Sequence, residues 1–127
     1  MNNAVLFSSA SMHWPTPKAV YDALDAEFRF DYDPCPLRSE GDGLAVSWAG
    51  KRVYCNPPYG PGIGDWLRHG LDAVVAVYLL PARTDTKWFH EIALPNAREV
   101  RFLRGRLKFG DAKNGAPFPS MLVIFER

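Results

Sequence analysis

Val74-Val75-Ala76-Val77-Tyr78-Leu79-Leu80-Pro81 is the run on which the fold turns. Seven apolar side chains in succession, bounded by turn signals and closed by a proline, describe a strand buried on both faces. Such a strand needs helices above and below it, which places the chain in the α/β class. Upstream, Arg52 to Cys55 predicts a second strand that feeds into Asn56-Pro57-Pro58-Tyr59, a turn prolonged by Gly60, Pro61, Gly62 and Gly64. Trp66, Leu67, Gly70 and Leu71 suggest a short amphipathic helix between these strands. Nearer the N-terminus, Val20, Leu24 and Phe28 recur at helical spacing, with Thr16 or Pro17 opening the helix. Phe28 to Asp33 alternates aromatic with charged side chains and predicts a strand ending at Pro34. Leu37 to Lys51 has no clear period and reads as a loop around Leu44, Val46 and Trp48. Downstream, Asp85 is the expected N-cap of a helix through Leu94, and Glu99 to Leu103 with Leu122 to Phe125 are the late strands. The expectation is an open, mostly parallel sheet with an antiparallel C-terminal strand pair. Ligands in such sheets sit outside the carboxyl ends of the strands, where Asp33, Asn56 and the Pro81–Asp85 loop fall.

With 127 residues, 47% of them hydrophobic and 23% charged, the expectation is one compact domain spanning 1–127. That length leaves no room for a separate recognition domain, so specificity has to come from loops. The longest apolar run, Ala73 to Ala82, is far short of a membrane span, and no basic region followed by an apolar signal segment opens the chain. A soluble, cytoplasmic protein is expected. Cys35 and Cys55 lack nearby paired Cys or His, which argues against a disulfide or a metal site. A net charge of +1 carries no global signature of nucleic-acid binding. Locally, Arg98, Arg101, Arg104, Arg106, Lys108 and Lys113 stand against only Glu99 and Asp111. That basic strip suits phosphate contact, and equally suits protection of an exposed sheet edge.

The turn carries the chemistry. An Asn/Asp-Pro-Pro-aromatic tetrapeptide is a signature of enzymes that methylate an exocyclic amine. Such an amine is a poor nucleophile, because its lone pair is delocalised into the ring. A carboxamide oxygen from Asn56 and the backbone carbonyl of Pro57 can accept its two N–H bonds, drawing electron density back onto nitrogen and stabilising the charge that develops. Pro57 and Pro58 fix φ near −65° and hold these acceptors rigid. Tyr59 is placed to stack on the base. The plainer alternative is a Pro-Pro turn after a strand with Tyr59 as core filler.

Six segments in order extend this reading: Trp14-x-Thr16-Pro17, Asp31-x-Asp33-Pro34-Cys35 with Trp48, Asn56-Pro57-Pro58-Tyr59, Leu80-Pro81-Ala82-x-Thr84-Asp85-Thr86-x-Trp88-Phe89, Gly105-Arg106-Leu107-x-Phe109, and Ser120 to Phe125. Together they closely resemble the phage-type DNA N6-adenine methyltransferase family. The resemblance implies a reduced Rossmann-like methyltransferase fold, S-adenosylmethionine as methyl donor and adenine in DNA as acceptor. It implies catalytic roles for Asn56, Pro57, Pro58 and Tyr59. Thr16 and Pro17 resemble the family's entry to the cofactor pocket, and Asp33-Pro34-Cys35 its first-strand cofactor motif, with Asp33 or Asp31 meeting the donor's positive charge. An ordinary helix start at Thr16-Pro17 and solvated carboxylates at Asp31 and Asp33 stay open as alternatives. Thr84 and Asp85 are further contact candidates, whereas Trp88 and Phe89 read as core.

The chain departs from the broader fold in one respect. Cys35-Pro36-Leu37 replaces the usual Gly-x-Gly cofactor loop, and the interval from Asp33 to Asn56 is too short for a full set of central strands. Either the sheet is reduced, with Glu40 or Asp42 taking the ribose, or a partner completes the cofactor site. Adenine would have to be flipped from the duplex. The Gly60–Gly64 loop, the Arg83 region and the basic strip are the surfaces available for phosphates, and dimerisation would enlarge them. Three other functions remain open: methylation of cytosine N4, methylation of a protein glutamine, and a non-catalytic binding module that kept the fold.

Overall fold

The computed structural model describes residues 14–36, 43–109 and 114–127. Its centre is a four-stranded sheet in the order β1-β2-β4-β3, built from β1 (Arg52–Cys55), β2 (Val75–Pro81), β3 (Glu99–Phe102) and β4 (Ser120–Glu126). β1 and β2 are parallel, whereas β4 is antiparallel to both of its neighbours, β2 and β3. Three strands therefore run one way, as expected, yet only one of the three ladders is parallel. All seven residues of β2 are buried, as its unbroken apolar sequence predicts, and β4 is buried up to Ser120–Phe125. Each fully buried aliphatic or aromatic side chain in these strands stabilises the fold by about 1.5–3 kcal/mol.

Register divides the core into two layers. Tyr54, Val77 and Ile124 are successive partners and share one face. Helix α1 (Lys18–Phe28) covers that face, with Tyr21 edge-on to Tyr54 at 5.1 Å. At its far end Glu27 grips Arg101 of β3 through two bonds of 2.6 and 2.8 Å, while Arg101 also reaches Glu99. Arg98 pairs with Glu126 at 2.9 Å. Two members of the basic strip are thus engaged in tying the sheet edge to its neighbours.

The opposite face carries Tyr78, Val123 and Phe125, with Tyr78 and Phe125 in edge contact at 5.5 Å. Against it lies α2 (Ile63–His69), whose Leu67 is fully buried, followed by a 3-10 turn, Gly70–Asp72. Tyr78 donates its hydroxyl to the Trp66 carbonyl at 2.7 Å, and a Cβ on Gly70 would stand 2.0 Å from that hydroxyl. Glycine is required there by close approach. Trp48, 1% exposed, packs against Trp66, His69 and Tyr78 and donates Nε1–H to the Gly43 carbonyl at 2.9 Å. Leu71 and Val46, by contrast, are exposed. The segment after β2 is a π-helical turn, Phe89–Ala93, running into the short helix α3 (Leu94–Asn96). Pro95 lacks an N–H and its ring crowds the preceding turn, which accounts for the widening.

Two local expectations need correction. The strand expected over Phe28 to Asp33 is a single parallel bridge, Tyr32 to Val53. Arg29 ends α1 in the left-handed region at φ 55°, and the Asp31 carboxylate takes the Arg52 N–H at 2.8 Å, the donor a longer ladder would have used. The predicted cap Asp85 is displaced by Thr86, whose Oγ1 accepts the Phe89 N–H at 3.3 Å and donates to the Arg83 carbonyl at 2.8 Å. The ribose candidates Glu40 and Asp42, and Lys113 of the basic strip, lie outside the described residues. Among the described residues no helix is long and apolar enough to cross a membrane.

Candidate functional site

The carboxyl ends of the Tyr32 bridge, β1 and β2 lie side by side, and they carry Asp33-Pro34-Cys35, Asn56-Pro57-Pro58-Tyr59 and Pro81. β1 delivers Asn56 directly. Its side-chain Nδ2 donates to the backbone carbonyl of Trp14 and to Thr16 Oγ1, the latter at 3.1 Å. Both amide hydrogens are used in this way. Its Oδ1 is buried with no hydrogen-bond partner among the described residues, one of two such side-chain atoms, the other being Ser120 Oγ inside the sheet. Leaving a buried acceptor unpaired costs about 1–3 kcal/mol, so an oriented and unpaired oxygen here calls for a ligand.

Thr16 reaches Asn56 because it does not cap α1. Pro17 is the N-cap, with no side-chain cap bond, and its carbonyl takes the N–H groups of Val20 and Tyr21 at 3.1 Å. The Thr16 hydroxyl is left to bond Tyr54 Oη at 2.6 Å as well as Asn56. Burial raises the Tyr54 phenol well above its ordinary pKa, so it remains protonated.

Beside this cluster opens a cavity of about 620 Å³ lined by Trp14, Tyr59, Gly60, Ile63, Pro81, Arg83, Thr86, Trp88 and Phe118, among others. That volume suits a small-molecule or nucleobase site. Trp14 meets Phe109 and Phe118 edge to face at 5.5 and 5.1 Å, Phe109 and Phe118 lie tilted at 5.9 Å, and Tyr59 meets Phe118 at 5.5 Å. Tyr59 is 8% exposed, and its hydroxyl donates to the Leu79 carbonyl at 3.1 Å. Burial raises its phenol too, so the ring is a neutral, tethered wall of the cavity. Trp88, read as core from the sequence, is half-buried and lines the same cavity.

On the other side of Asn56, Asp33 Oδ1 accepts the Cys35 N–H at 2.9 Å. Burial raises the Asp33 carboxyl above its ordinary value, and the Cys35 N–H offsets this in part. No cation pairs with it among the described residues. Burial, then the Asp33 charge, pushes the Cys35 thiol up to about 11, and burial also raises the fully buried Cys55 thiol well above its ordinary value. Both cysteines are free and neutral, and no group of three His, Cys, Asp or Glu side chains among the described residues could hold a metal ion. Asp31, the second carboxylate considered, is engaged with the Arg52 N–H.

The raised Asp33 value has a measurable sign. Between the ordinary and the raised pKa the folded state holds more protons than the unfolded state, so stability falls as pH rises through that window. Asp33→Asn keeps an acceptor for Cys35 and removes the buried charge. It is expected to raise Tm by a few degrees at neutral pH, with the gain vanishing below the ordinary carboxylate range; melting curves across pH check this.

The sequence pointed to Asn56, Pro57, Pro58 and Tyr59 and to Thr16, Pro17, Asp31, Asp33, Pro34 and Cys35 as candidates, and the structure brings Thr16 and Asn56 into contact. It missed Tyr54, the Trp14 carbonyl and Phe118. The alternation of a strand held the signal for Tyr54, since positions 54 and 56 fall on one face.

A family model described as "DNA N-6-adenine-methyltransferase (Dam)" matches residues 5–127. The DNA N-6-adenine-methyltransferase of Haemophilus phage HP1 (strain HP1c1) is 29% identical over 135 residues, covering 89% of this chain and 78% of that protein. No solved structure matches. With a family match over nearly its whole length, and an Asn-Pro-Pro-Tyr turn set at a strand end beside an aromatic cavity, the chain belongs to the Dam family of DNA N-6-adenine methyltransferases.

Proposed function

We propose that this protein transfers a methyl group from S-adenosylmethionine to the N6 amine of adenine in DNA, using one domain over residues 1–127 with a reduced Rossmann-like sheet. The observation that carries the reading is the buried Asn56 Oδ1, which has no hydrogen-bond partner among the described residues. An acceptor left without a partner, with its amide nitrogen fully engaged behind it, is what the target amine requires. Asn56 Oδ1 and the Pro57 carbonyl would accept the two N–H bonds of the amine, Pro58 would hold the turn, and Tyr59 would wall the flipped base. The aromatic side chains Trp14 and Phe118 line the same cavity and offer it flat, apolar contact.

Asp33 fits the donor: a carboxylate withdrawn from water, without a cationic partner among the described residues, favours a ligand that bears positive charge. Thr16, Pro17, Asp31, Pro34 and Cys35 would complete the donor site; Cys35 donates its N–H to Asp33, and Asp31 accepts the Arg52 N–H. S-adenosylmethionine would supply an electrophilic methyl group on a sulfonium. Arg83, Arg104 and Lys108 are exposed and are the cations suited to DNA phosphates, since Arg98 and Arg101 are engaged with carboxylates. A homo-oligomer would extend that surface, and a bacterial host's cytoplasm would be the setting of a phage enzyme.

The test is incubation with labelled donor and unmethylated DNA, followed by digestion to nucleosides. Labelled N6-methyladenine is the expected product. Label in N4-methylcytosine would move the acceptor, and folded protein that neither binds donor nor transfers label would overturn the reading.

A further inference from the structure

We propose that Tyr54 and Thr16 are positioning residues that fix which end of the Asn56 carboxamide faces the substrate. The inference rests on the amino-methylation reading above, and it adds to that reading a buried phenol that touches neither donor nor acceptor.

A carboxamide presents an oxygen or an NH2 group at nearly equal steric cost, so a loosely held asparagine could turn either end forward. Only the oxygen serves a target amine. Here the two hydrogens on Nδ2 have two acceptors, the Trp14 carbonyl and Thr16 Oγ1. The reversed rotamer would set Oδ1 against the Trp14 carbonyl oxygen and leave a buried NH2 without an acceptor. Orientation is therefore decided by two groups behind the amide, and one of them is a hydroxyl that could itself rotate.

Tyr54 removes that freedom. Its Oη lies 2.6 Å from Thr16 Oγ1, so one hydrogen is shared between them, and either sense of sharing leaves Oγ1 a lone pair for Asn56. The ring cannot follow a moving threonine, because it is 2% exposed and held by Tyr21 at 5.1 Å and Phe30 at 5.4 Å. It also rises from β1 two residues before Asn56, on the same face. A strand thus supplies both the working amide and the post that steadies its support, while Pro17 frees Thr16 by opening α1 without a side-chain cap. Without the phenol oxygen the Thr16 hydroxyl has a second χ1 well available, and its hold on Nδ2 lapses.

The experiment compares wild type with Tyr54→Phe, Thr16→Val and Thr16→Ser in methyl transfer to DNA and in donor binding. Tyr54→Phe and Thr16→Val are expected to lower kcat about 10- to 100-fold, the scale of a misaligned catalytic group. For Tyr54→Phe donor affinity and KM should stay near wild type, and in kcat Thr16→Ser should lie closer to wild type than Thr16→Val. A second readout is independent of activity: solvent exchange of the Asn56 side-chain NH2 measured by NMR, with the resonance assigned by its absence in Asn56→Ala. Exchange should be slow in wild type and about tenfold faster or more in Tyr54→Phe, reporting local release of the amide. Wild-type kcat in both Tyr54→Phe and Thr16→Val would overturn the proposal, as would a loss of donor affinity in Tyr54→Phe equal to its loss of kcat. If wild type transfers no methyl group, the functional reading fails by itself and the exchange measurement decides: a protected NH2 released by Tyr54→Phe upholds the positioning role, and equal exchange refutes it. Should Tyr54→Phe fail to fold, kcat and Asn56 NH2 exchange in Thr16→Val against Thr16→Ser carry the comparison.

Discussion

Asn56→Ala is expected to lower kcat for DNA methylation about 100- to 1,000-fold, the cost of removing one preorganised partner of the developing charge. Donor affinity should stay close to wild type, because the side chain acts on the acceptor amine. The variant is also expected to fold. Truncation discards an orphaned buried oxygen together with the two bonds made by Nδ2, and the two changes oppose each other in stability. Calorimetric titration with donor, single-turnover methyl transfer and a melting curve separate the three quantities. Equal loss of donor binding would move Asn56 into the cofactor site. Asn56→Asp gives a sharper form of the same test: its carboxylate has no hydrogen for the Trp14 carbonyl and would set two oxygens against each other. It is expected to lose activity at neutral pH although Asp-Pro-Pro-aromatic turns serve elsewhere, and to recover part of it as pH falls and the carboxyl can donate again.

Trp48→Ala is expected to remove about 3–5 kcal/mol of stability, a large part of the about 5–15 kcal/mol that holds a domain of this size. Trp48 fills the space beneath α2, in contact with Trp66, His69 and Tyr78, and its indole N–H satisfies the Gly43 carbonyl. Its loss leaves a cavity and an unpaired carbonyl together. Urea unfolding should show a lowered midpoint, and a midpoint within error of wild type would show that the 43–51 segment refolds around the gap. Trp48→Phe, which keeps most of the volume and loses only the N–H, should fall between.

The parts of the fold legible in the sequence were those where one force dominates. The apolar run of β2 has no alternative to burial, and Asn56-Pro57-Pro58-Tyr59 carries its own rigidity, so both stand where they were expected. The parts that were not legible depend on competition between distant groups. Alternation over Phe28 to Asp33 is real, but the Asp31 carboxylate outcompetes backbone for the Arg52 N–H, and α1 runs through Phe28 before Arg29 ends it. Asp85 and Thr86 are both good caps, and the choice fell to the one whose hydroxyl could also donate to the Arg83 carbonyl. Sheet direction at the C-terminal side was read correctly as an antiparallel pair, yet the insertion of β4 between β2 and β3 is a property of topology that strand patterns do not encode. Within the site, Asn56 and Thr16 were each identifiable. Their contact, across forty positions, was not, and Tyr54 escaped notice because a buried strand tyrosine looks like any other core residue.

That insertion of β4 also sets the order in which the molecule can assemble. β2 is hydrogen-bonded to β4 over its whole length, from Val75–Glu126 to Pro81–Ser120, so its widest ladder joins segments far apart in the chain. Pairings of that kind form late, since a long loop must close first. On the ribosome, β1, α2 and β2 can be made and collapsed while one edge of the most apolar strand still lacks its neighbour, and an unpaired apolar edge is open to the wrong partner. Until β4 docks, the β2 edge is therefore the part of this chain most open to misassociation.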